Sequence, residues 1–573
     1  MSVRTGVFVC HCGTNIGGIV NVPEVVEYAR TLPNVAFSEE NLYTCSEDGL
    51  SSIRNNIKEH DLNRVVVASC TPRTHEILFR QNCEMAGLNK YLFEFVNLRE
   101  HCSWVHMDAH DDATIKAKDL VRMGVAKVGL LTPQEDLTTD VIRACLIIGG
   151  GISGLSASLT LANQGYQVAL IEKKDRLGGL LKDINRVFPS NEPSSHLLDP
   201  LITSASKHQN IDIYLEAELI DVKGFIGNFT VTLRQDSKTK ELKVGTIIVS
   251  TGAQELKPFG SFGYDRFDNV MTQLEFEQRF KSDFDGLNRV VMINCVGARI
   301  EERKYCGRFC CITGMKNAIL LKEANPGADI SILQRDIMAC GKVFEDYYRT
   351  ALESGIRFIR YNVDRPPEIT GSGNVAEKVR VYHELMGRDI EIDVDAVLLT
   401  TPLIPGEDNQ RLSRIMKIPV GNDGYFLEAH QKLRPVEFPS DGIFLAGCAR
   451  YPTDISECIS QGYAAAAKAA IPMARGRVIT DAFICEVDPV RCSACGRCVE
   501  ICPFGAIDWT DWKDLKGENR SVAMVNPTEC KGCGLCSSSC LSSAIKLKGS
   551  TDEEILAMVN TVIDCKGLAL SKT

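Results

Sequence analysis

The spacing of eight cysteines near the carboxyl end constrains this chain more than any other feature. Cys492, Cys495, Cys498 and Cys502 are followed by Cys530, Cys533, Cys536 and Cys540, two runs of C-x-x-C-x-x-C-x-x-x-C. Three thiolates so spaced can wrap one face of an iron–sulfur cube, and the fourth cysteine of each run reaches the neighbouring cube. The expected ligand sets are therefore Cys492, Cys495 and Cys498 with Cys540, and Cys530, Cys533 and Cys536 with Cys502. Pro503 follows the first run as the pattern wants, whereas Leu541 stands where a second proline is expected. Paired C-x-x-C motifs also serve structural zinc, but eight cysteines in duplicate favour two [4Fe–4S] clusters. Such a segment moves electrons one at a time.

At 573 residues the chain exceeds one ordinary core, so several domains are expected. Residues 1–5 lead straight into a strand-like segment without a secretory pattern. No apolar run approaches the length that crosses a bilayer. A net charge of −10 argues against nucleic acid as a partner. Twenty-four cysteines in so long a chain read as metal ligands kept in a reducing compartment, which points to the cytoplasm.

Residues 141–172 carry a second strong pattern. An apolar strand at 144–148 runs into Gly149-x-Gly151-x-x-Gly154, a helix is expected over 155–164, and a second strand at 167–171 ends on Glu172. Gly149 permits the tight turn, Gly151 admits a pyrophosphate close to the backbone, and Gly154 lets helix and strand pack. The helix N-terminus then faces the phosphates, and Glu172 is placed for a ribose hydroxyl. Strand, turn, helix and acid in register make this a dinucleotide site.

The glycines Gly178 and Gly179 soon after Glu172 are typical of FAD-binding members of this fold. Thr251 and Gly252, after the strand-like 246–250, resemble the turn that closes over FAD in the thioredoxin-reductase and glutathione-reductase superfamily. Residues 441–467, with Gly447, Gln461, Gly462 and Ala464, are similar to that superfamily's last FAD strand and the helix aimed at the flavin ring. Cys448 replaces the aspartate usual after the glycine. A reductase using NAD(P)H carries a second glycine fingerprint between these halves. Here the strand-like 289–294 is followed instead by Cys295, Cys306, Cys310 and Cys311. The nucleotide turn is expected to have given way to a metal cluster, the plain alternatives being a redox disulfide or buried thiols.

These cysteines, with residues 312–318 behind them, strongly resemble the HdrA family, the flavin-bearing subunits of heterodisulfide reductase. So do residues 7–16, 65–76 and 99–106, and the likeness covers essentially the whole chain. It implies FAD beside [4Fe–4S] clusters, and a role in cytoplasmic complexes that split an electron pair between a high- and a low-potential acceptor. It further implies that Cys295, Cys306, Cys310 and Cys311 hold a cluster near the flavin and that Lys316 approaches flavin N5, tuning its potential. The implied partners are HdrB- and HdrC-like subunits, ferredoxin, and an electron-donating subunit linked to hydrogenase, formate dehydrogenase or NADH, within a dimerised hetero-oligomer. Many members insert a further ferredoxin module into the FAD domain. Here residues 235–241 read only as a polar hairpin turn, so the chain is a shortened form. An NAD(P)H-dependent reductase like the small subunit of glutamate synthase, and a subunit that only relays single electrons, are the other readings.

In the first domain Cys10, Cys12, Cys45 and Cys70 fall at or after strand ends, which converge in an α/β layer. They are the preferred ligands of a fourth cluster; a set including Cys102, or no metal, stays open. His75, His101 and His106 read as structural hydrogen-bonding groups. Cys83, Cys145, Cys340, Cys458, Cys485 and Cys565 have no ligand-like spacing and are expected to be buried or inert. The expected architecture is α/β: an N-terminal α/β domain (1–138), a thioredoxin-reductase-like, Rossmann-type FAD domain (139–475), a bacterial-type two-cluster ferredoxin (476–549) and a helical tail (550–573). The tail's apolar face is read as Ile555, Met558, Val559 and Val562, and no internal repeat beyond the duplicated cluster motif is seen.

Overall fold

The computed structural model describes residues 2–236, 238–280, 284, 286–480, 482–513 and 517–570, with the side chains of 342, 480 and 564–570 set aside, so the Cys565 thiol lies outside the description. The chain divides into two compact units, one of residues 139–478 and one joining residues 1–138 to residues 479–573. The ferredoxin-type segment and the N-terminal domain thus form one body, not two consecutive ones.

In that first unit a parallel sheet has the order Val35–Asn41, Thr5–Cys10, Arg64–Ser69, Phe93–Asn97. Its two central strands are buried along most of their length, as expected where helices cover both faces of a parallel sheet. The C-terminal segment contributes an antiparallel pair, Cys485–Val487 with Ile545–Leu547, and a hairpin, Ile507–Lys513 with Asn519–Val525. The Ala482 N–H donates to the Tyr91 hydroxyl at 3.0 Å, and the Tyr91 and Phe483 rings meet edge to face at 5.1 Å. An aromatic pair of this kind adds about 0.5–1.5 kcal/mol to the burial itself. The tail helix, Asp552–Leu570, packs on the helix His110–Leu130. Its expected apolar face is only partly the inward one: Met558 and Val562 are half-buried, but Ile555 and Val559 are exposed, while Glu554 is buried.

The second unit repeats one design. The first five-stranded parallel sheet is ordered Ile443–Leu445, Thr246–Val249, Ala144–Ile148, Gln167–Ile171, Ile211–Tyr214. The second is ordered Val270–Thr272, Ala396–Leu399, Arg289–Ile293, Asp329–Gln334, Arg357–Arg360. Each has a three-stranded antiparallel sheet intercalated in its sequence at the corresponding point. The repeat is one of strand order, and only the first half keeps its glycine turn. In the first meander the strand pairing runs to Gln235 opposite Lys238, so the polar segment is a tight hairpin. Among the described residues no helix is long and apolar enough to cross a membrane.

Candidate functional site

The glycine turn of residues 149–154 is built as its sequence demands. Gly149 has φ of 106°, and a Cβ there would lie 2.3 Å from Ser250 O. A Cβ on Gly154 would come within 2.0 Å of Gly149 O, so neither position tolerates a side chain. Gly151 is different: nothing comes nearer to its Cβ position than Gly179 Cα, at 4.0 Å. Gly179 packs its backbone against this point, since a Cβ on it would lie 3.2 Å from Gly151 Cα, and both glycines sit at the amino end of the helix Ile152–Asn163, an anion site by its free N–H groups and dipole. Gly178, at φ of 115°, holds this loop by donating its N–H to Gly150 O at 2.9 Å. The Glu172 carboxylate accepts from Gly150 N at 2.8 Å and Lys174 N at 2.9 Å, which fixes it at the end of its strand. Thr251 Oγ1 is buried with no hydrogen-bond partner, beside Gly252 at φ of 73°. A backbone cradle and an orphaned hydroxyl are what a dinucleotide would complete, and the residues fit FAD. Alanine at Gly154 is expected to strip the flavin, read as loss of absorbance near 450 nm after desalting.

The helix Ile455–Arg475 contributes less directly than its sequence suggests. Gln461 Oε1 accepts the Gly447 N–H at 2.9 Å, so it shapes the loop and does not reach outward. A Cβ at Gly462 would meet Ser153 O at 2.6 Å, which makes this glycine a close-packing point between helices. Ala464 is exposed. Cys448 and Cys458 place their sulfurs 3.8 Å apart under the same loop.

In the second half the chain leaves the strand Arg289–Ile293 and makes a cysteine loop before the helix Cys310–Ala324. Cys310 and Cys311 open that helix; Cys295, Cys306, Cys310 and Cys311 lie close enough for their charges to act on one another. Burial pushes the Cys295 thiol up to about 11, whereas a hydrogen bond from Cys310 holds Cys311 down at about 7. Three links pin the loop. Tyr305 OH donates to Leu403 O at 3.1 Å, Arg308 pairs with Glu457 at 3.1 Å, and the Arg308 guanidinium lies 4.5 Å from the Tyr451 ring centre. The last two tie the cysteines to the segment that follows Gly447 in the FAD half.

Lys316 is 3% exposed and is no solvated surface charge. Its Nζ donates to Glu277 Oε1 and to Arg186 O, both at 2.7 Å, and burial depresses its pKa against the pull of Glu277. Glu277, buried on the helix Gln273–Phe280, was not anticipated; the signal available was a carboxylate beside Phe276 on an apolar face. Neighbouring Asn294 is fully buried with neither amide atom partnered.

The first unit holds the remaining thiols. Cys10 closes the first strand and accepts the N–H groups of Cys12 at 3.2 Å and Thr44 at 3.4 Å. Cys12 and Cys45, each raised chiefly by burial, both feel Cys10 and Cys70. All four sit at or beyond carboxyl ends of parallel strands, where such sheets place ligands. Cys102 points elsewhere, its thiol donating to Ala113 O at 3.1 Å, and His106 bonds Cys102 O at 3.1 Å. In the ferredoxin segment one cavity is lined by Cys530, Cys533, Cys536 and Cys502, the crossed set expected from spacing. Cys498 feels Cys492 and Cys495. The two fourth cysteines are treated alike: Ala506 N–H donates to Cys502 and Ala544 N–H to Cys540, each at 3.3 Å. Cys485, read as buried or inert, is buried and lines the same cavity as Cys530, while Cys340, read the same way, is exposed and outside every set. Among the described residues no group of three or more such side chains is drawn in tightly enough for a single ion. A cube, which spaces its thiolates more widely than one ion does, suits these clusters of cysteines better.

Comparison with known proteins agrees with this geometry. The family described as pyridine nucleotide-disulphide oxidoreductase matches residues 143–469, and the 4Fe-4S dicluster domain matches residues 491–544. The second of two HdrA iron–sulfur subunits of CoB--CoM heterodisulfide reductase from Methanopyrus kandleri is 38% identical over 599 residues, covering 88% of this chain and 91% of the relative. This chain belongs to the HdrA family of heterodisulfide reductases. The HdrA subunit of the H(2):CoB-CoM heterodisulfide,ferredoxin reductase of Methanothermobacter thermautotrophicus is also 38% identical, over 88% of this chain and 90% of its own. The first HdrA subunit of Methanopyrus kandleri is 37% identical over 98% of both chains, in an alignment of 661 residues. That alignment is longer than this 573-residue chain, so the relative carries stretches that this HdrA lacks. The HdrA chain is an oxidoreductase and a flavoprotein with [4Fe–4S] clusters, its FAD half being Rossmann-type.

Proposed function

We propose that this chain is the flavin subunit of an Hdr-type complex, in which electron pairs are exchanged for single electrons and divided between a high- and a low-potential acceptor. FAD supplies the two-electron chemistry and the clusters carry single electrons. The supporting observation is the cysteine loop itself. Where a second nucleotide turn would sit, four cysteines converge, and Arg308 fastens them to the FAD half. A hydride donor finds no glycine cradle there, so electrons enter and leave through clusters and partner proteins.

On this reading Gly149, Gly151, Gly154, Gly178 and Gly179 hold the pyrophosphate and Glu172 fixes the turn. Cys295, Cys306, Cys310 and Cys311 hold the cluster beside the flavin. Cys10, Cys12, Cys45 and Cys70 hold a fourth cluster. Lys316 sets the charge around the ring. The names of the relatives, which couple H(2) or formate to a heterodisulfide and ferredoxin, support a hydrogenase- or formate-linked donor and ferredoxin as partners, and HdrB- and HdrC-like subunits are proposed beside them. A dimerised assembly in the cytoplasm suits them, since cluster thiols must stay reduced.

Purified with its partners from native cells, the chain is expected to bring one FAD and about sixteen irons. It should reduce ferredoxin only while a higher-potential acceptor, such as a heterodisulfide, is being reduced. Ferredoxin reduction that proceeds unchanged without that acceptor would sink the proposal. Rapid bleaching of the isolated flavin by NADH or NADPH would favour the glutamate-synthase-like alternative.

A further inference from the structure

Five cysteines, not four, line the cavity in the ferredoxin segment. Cys485 lies on the short strand Cys485–Val487, opposite Leu547, and is 2% exposed. Its side chain lines the cavity bounded by Cys502, Cys530, Cys533 and Cys536. Its thiol shares that cavity with the thiols of Cys530 and Cys536, and its backbone N–H donates to the Cys530 sulfur at 3.5 Å. A cube offers four irons, and the repeated motif already supplies four thiolates. The fifth sulfur has no iron left to bind and faces the ligands instead.

We infer that Cys485 is a hydrogen-bond donor to the cysteine ligands of the second cluster, through its thiol and its backbone N–H, and that it raises this cluster's reduction potential. The inference rests on the ligand sets proposed above. Reduction adds negative charge to a cluster, and hydrogen bonds to its sulfurs stabilise that charge, so each added donor moves the potential upward. The other half of the segment provides a built-in contrast. Cys485 precedes the first ligand of its run, Cys492, by the same offset that separates Ala523 from Cys530. Ala523 is also buried and its side chain carries no donor. The duplicated domain is therefore asymmetric, and an electron shared between its clusters rests on the one beside Cys485. That strand leaves Phe483 and Ala482, the residues anchored on Tyr91 of the N-terminal domain.

The test is a redox titration of the full chain, followed by electron paramagnetic resonance, for wild type, Cys485→Ala and Cys485→Ser. The alanine variant should keep all its iron and lower the midpoint of one ferredoxin-type cluster by at least a tenfold change in its equilibrium, about 59 mV for one electron. The other cluster should stay put. The serine variant, whose hydroxyl still donates, should stay close to wild type. An unmoved midpoint in the alanine variant, or equal shifts in both clusters, overturns the inference. Loss of about four irons would make Cys485 a ligand and overturn it too. Wild-type protein with fewer than two ferredoxin-type clusters fails the ligand reading itself, an outcome separate from an unshifted potential, and takes the inference with it.

Discussion

Serine at Cys311 is expected to cost the chain about four irons while leaving its flavin in place. Cys311 opens the helix Cys310–Ala324 and is 2% exposed, so no solvent molecule readily replaces its sulfur. A hydroxyl does not ionise as a thiol does, and Cys311 is the thiol of its group held lowest, by the hydrogen bond from Cys310. The flavin site stands on different residues, the glycines at 149–154 and 178–179, whose nearest neighbours include no residue of this loop. The measurements are iron and FAD per chain, and the rate at which the ferredoxin-type clusters are reduced from the flavin. Removing even an outer support of a metal site costs about 10–100-fold in affinity or activity, so loss of a ligand should slow that step by more than 100-fold. Serine at Cys340, which is exposed and belongs to no ligand set, serves as the control and should change neither. Full iron in the Cys311 variant would remove this cluster from the proposed path.

How far the sequence could be read depended on whether a feature was local. The glycine turn and the polar hairpin read at 235–241 are decided by near neighbours, the strand pairing resuming at Lys238, and the repeated spacing groups Cys502 with Cys530, Cys533 and Cys536 about one cavity. The four N-terminal cysteines required only the rule that parallel strands end together, and Cys10, Cys12, Cys45 and Cys70 are indeed close while Cys102 is turned away. Features that depend on distant partners were not legible. Cys485 reaches Cys530 across forty-five positions, and nothing in the intervening sequence announces it. Gln461 and Gly462 carry a binding pattern but are spent on Gly447 and Ser153. The second parallel sheet of the second unit was legible, at about 287–400, from its strand at 289–294 even though cysteines stand where its glycine turn would be; its matching strand order was not. The tail helix misled for another reason: its apolar residues exceed one face, and periodicity alone does not choose which part turns inward.

Alanine at Glu277 is expected to be the most destabilising single change in the FAD-bearing unit. The carboxylate and the Lys316 ammonium are almost wholly buried, with side-chain exposures of 5% and 4%, and meet at 2.7 Å. Removing one partner of a buried pair leaves the other charge without compensation, at a cost of about 3–5 kcal/mol. Here the damage spreads further, because Glu277 also accepts the Asn185 N–H at 3.0 Å and an Asn317 amide N–H at 3.3 Å. Lys316 in turn donates to Arg186 O. The pair thus clamps residues 185–186, just beyond the Gly178–Gly179 turn, to the helices of the second sheet. Loosening it should release FAD before the unit unfolds. Flavin fluorescence on heating should therefore rise below the temperature at which circular dichroism is lost, whereas in wild type the two should coincide. Replacing both partners by apolar residues, Glu277→Leu with Lys316→Met, should recover most of the lost stability, since the uncompensated charge is gone. It should not recover the wild-type flavin potential, because the cation is gone too. A Glu277→Ala variant that melts within a degree or two of wild type would mean that water reaches the ammonium and that the clamp is not what holds the loop.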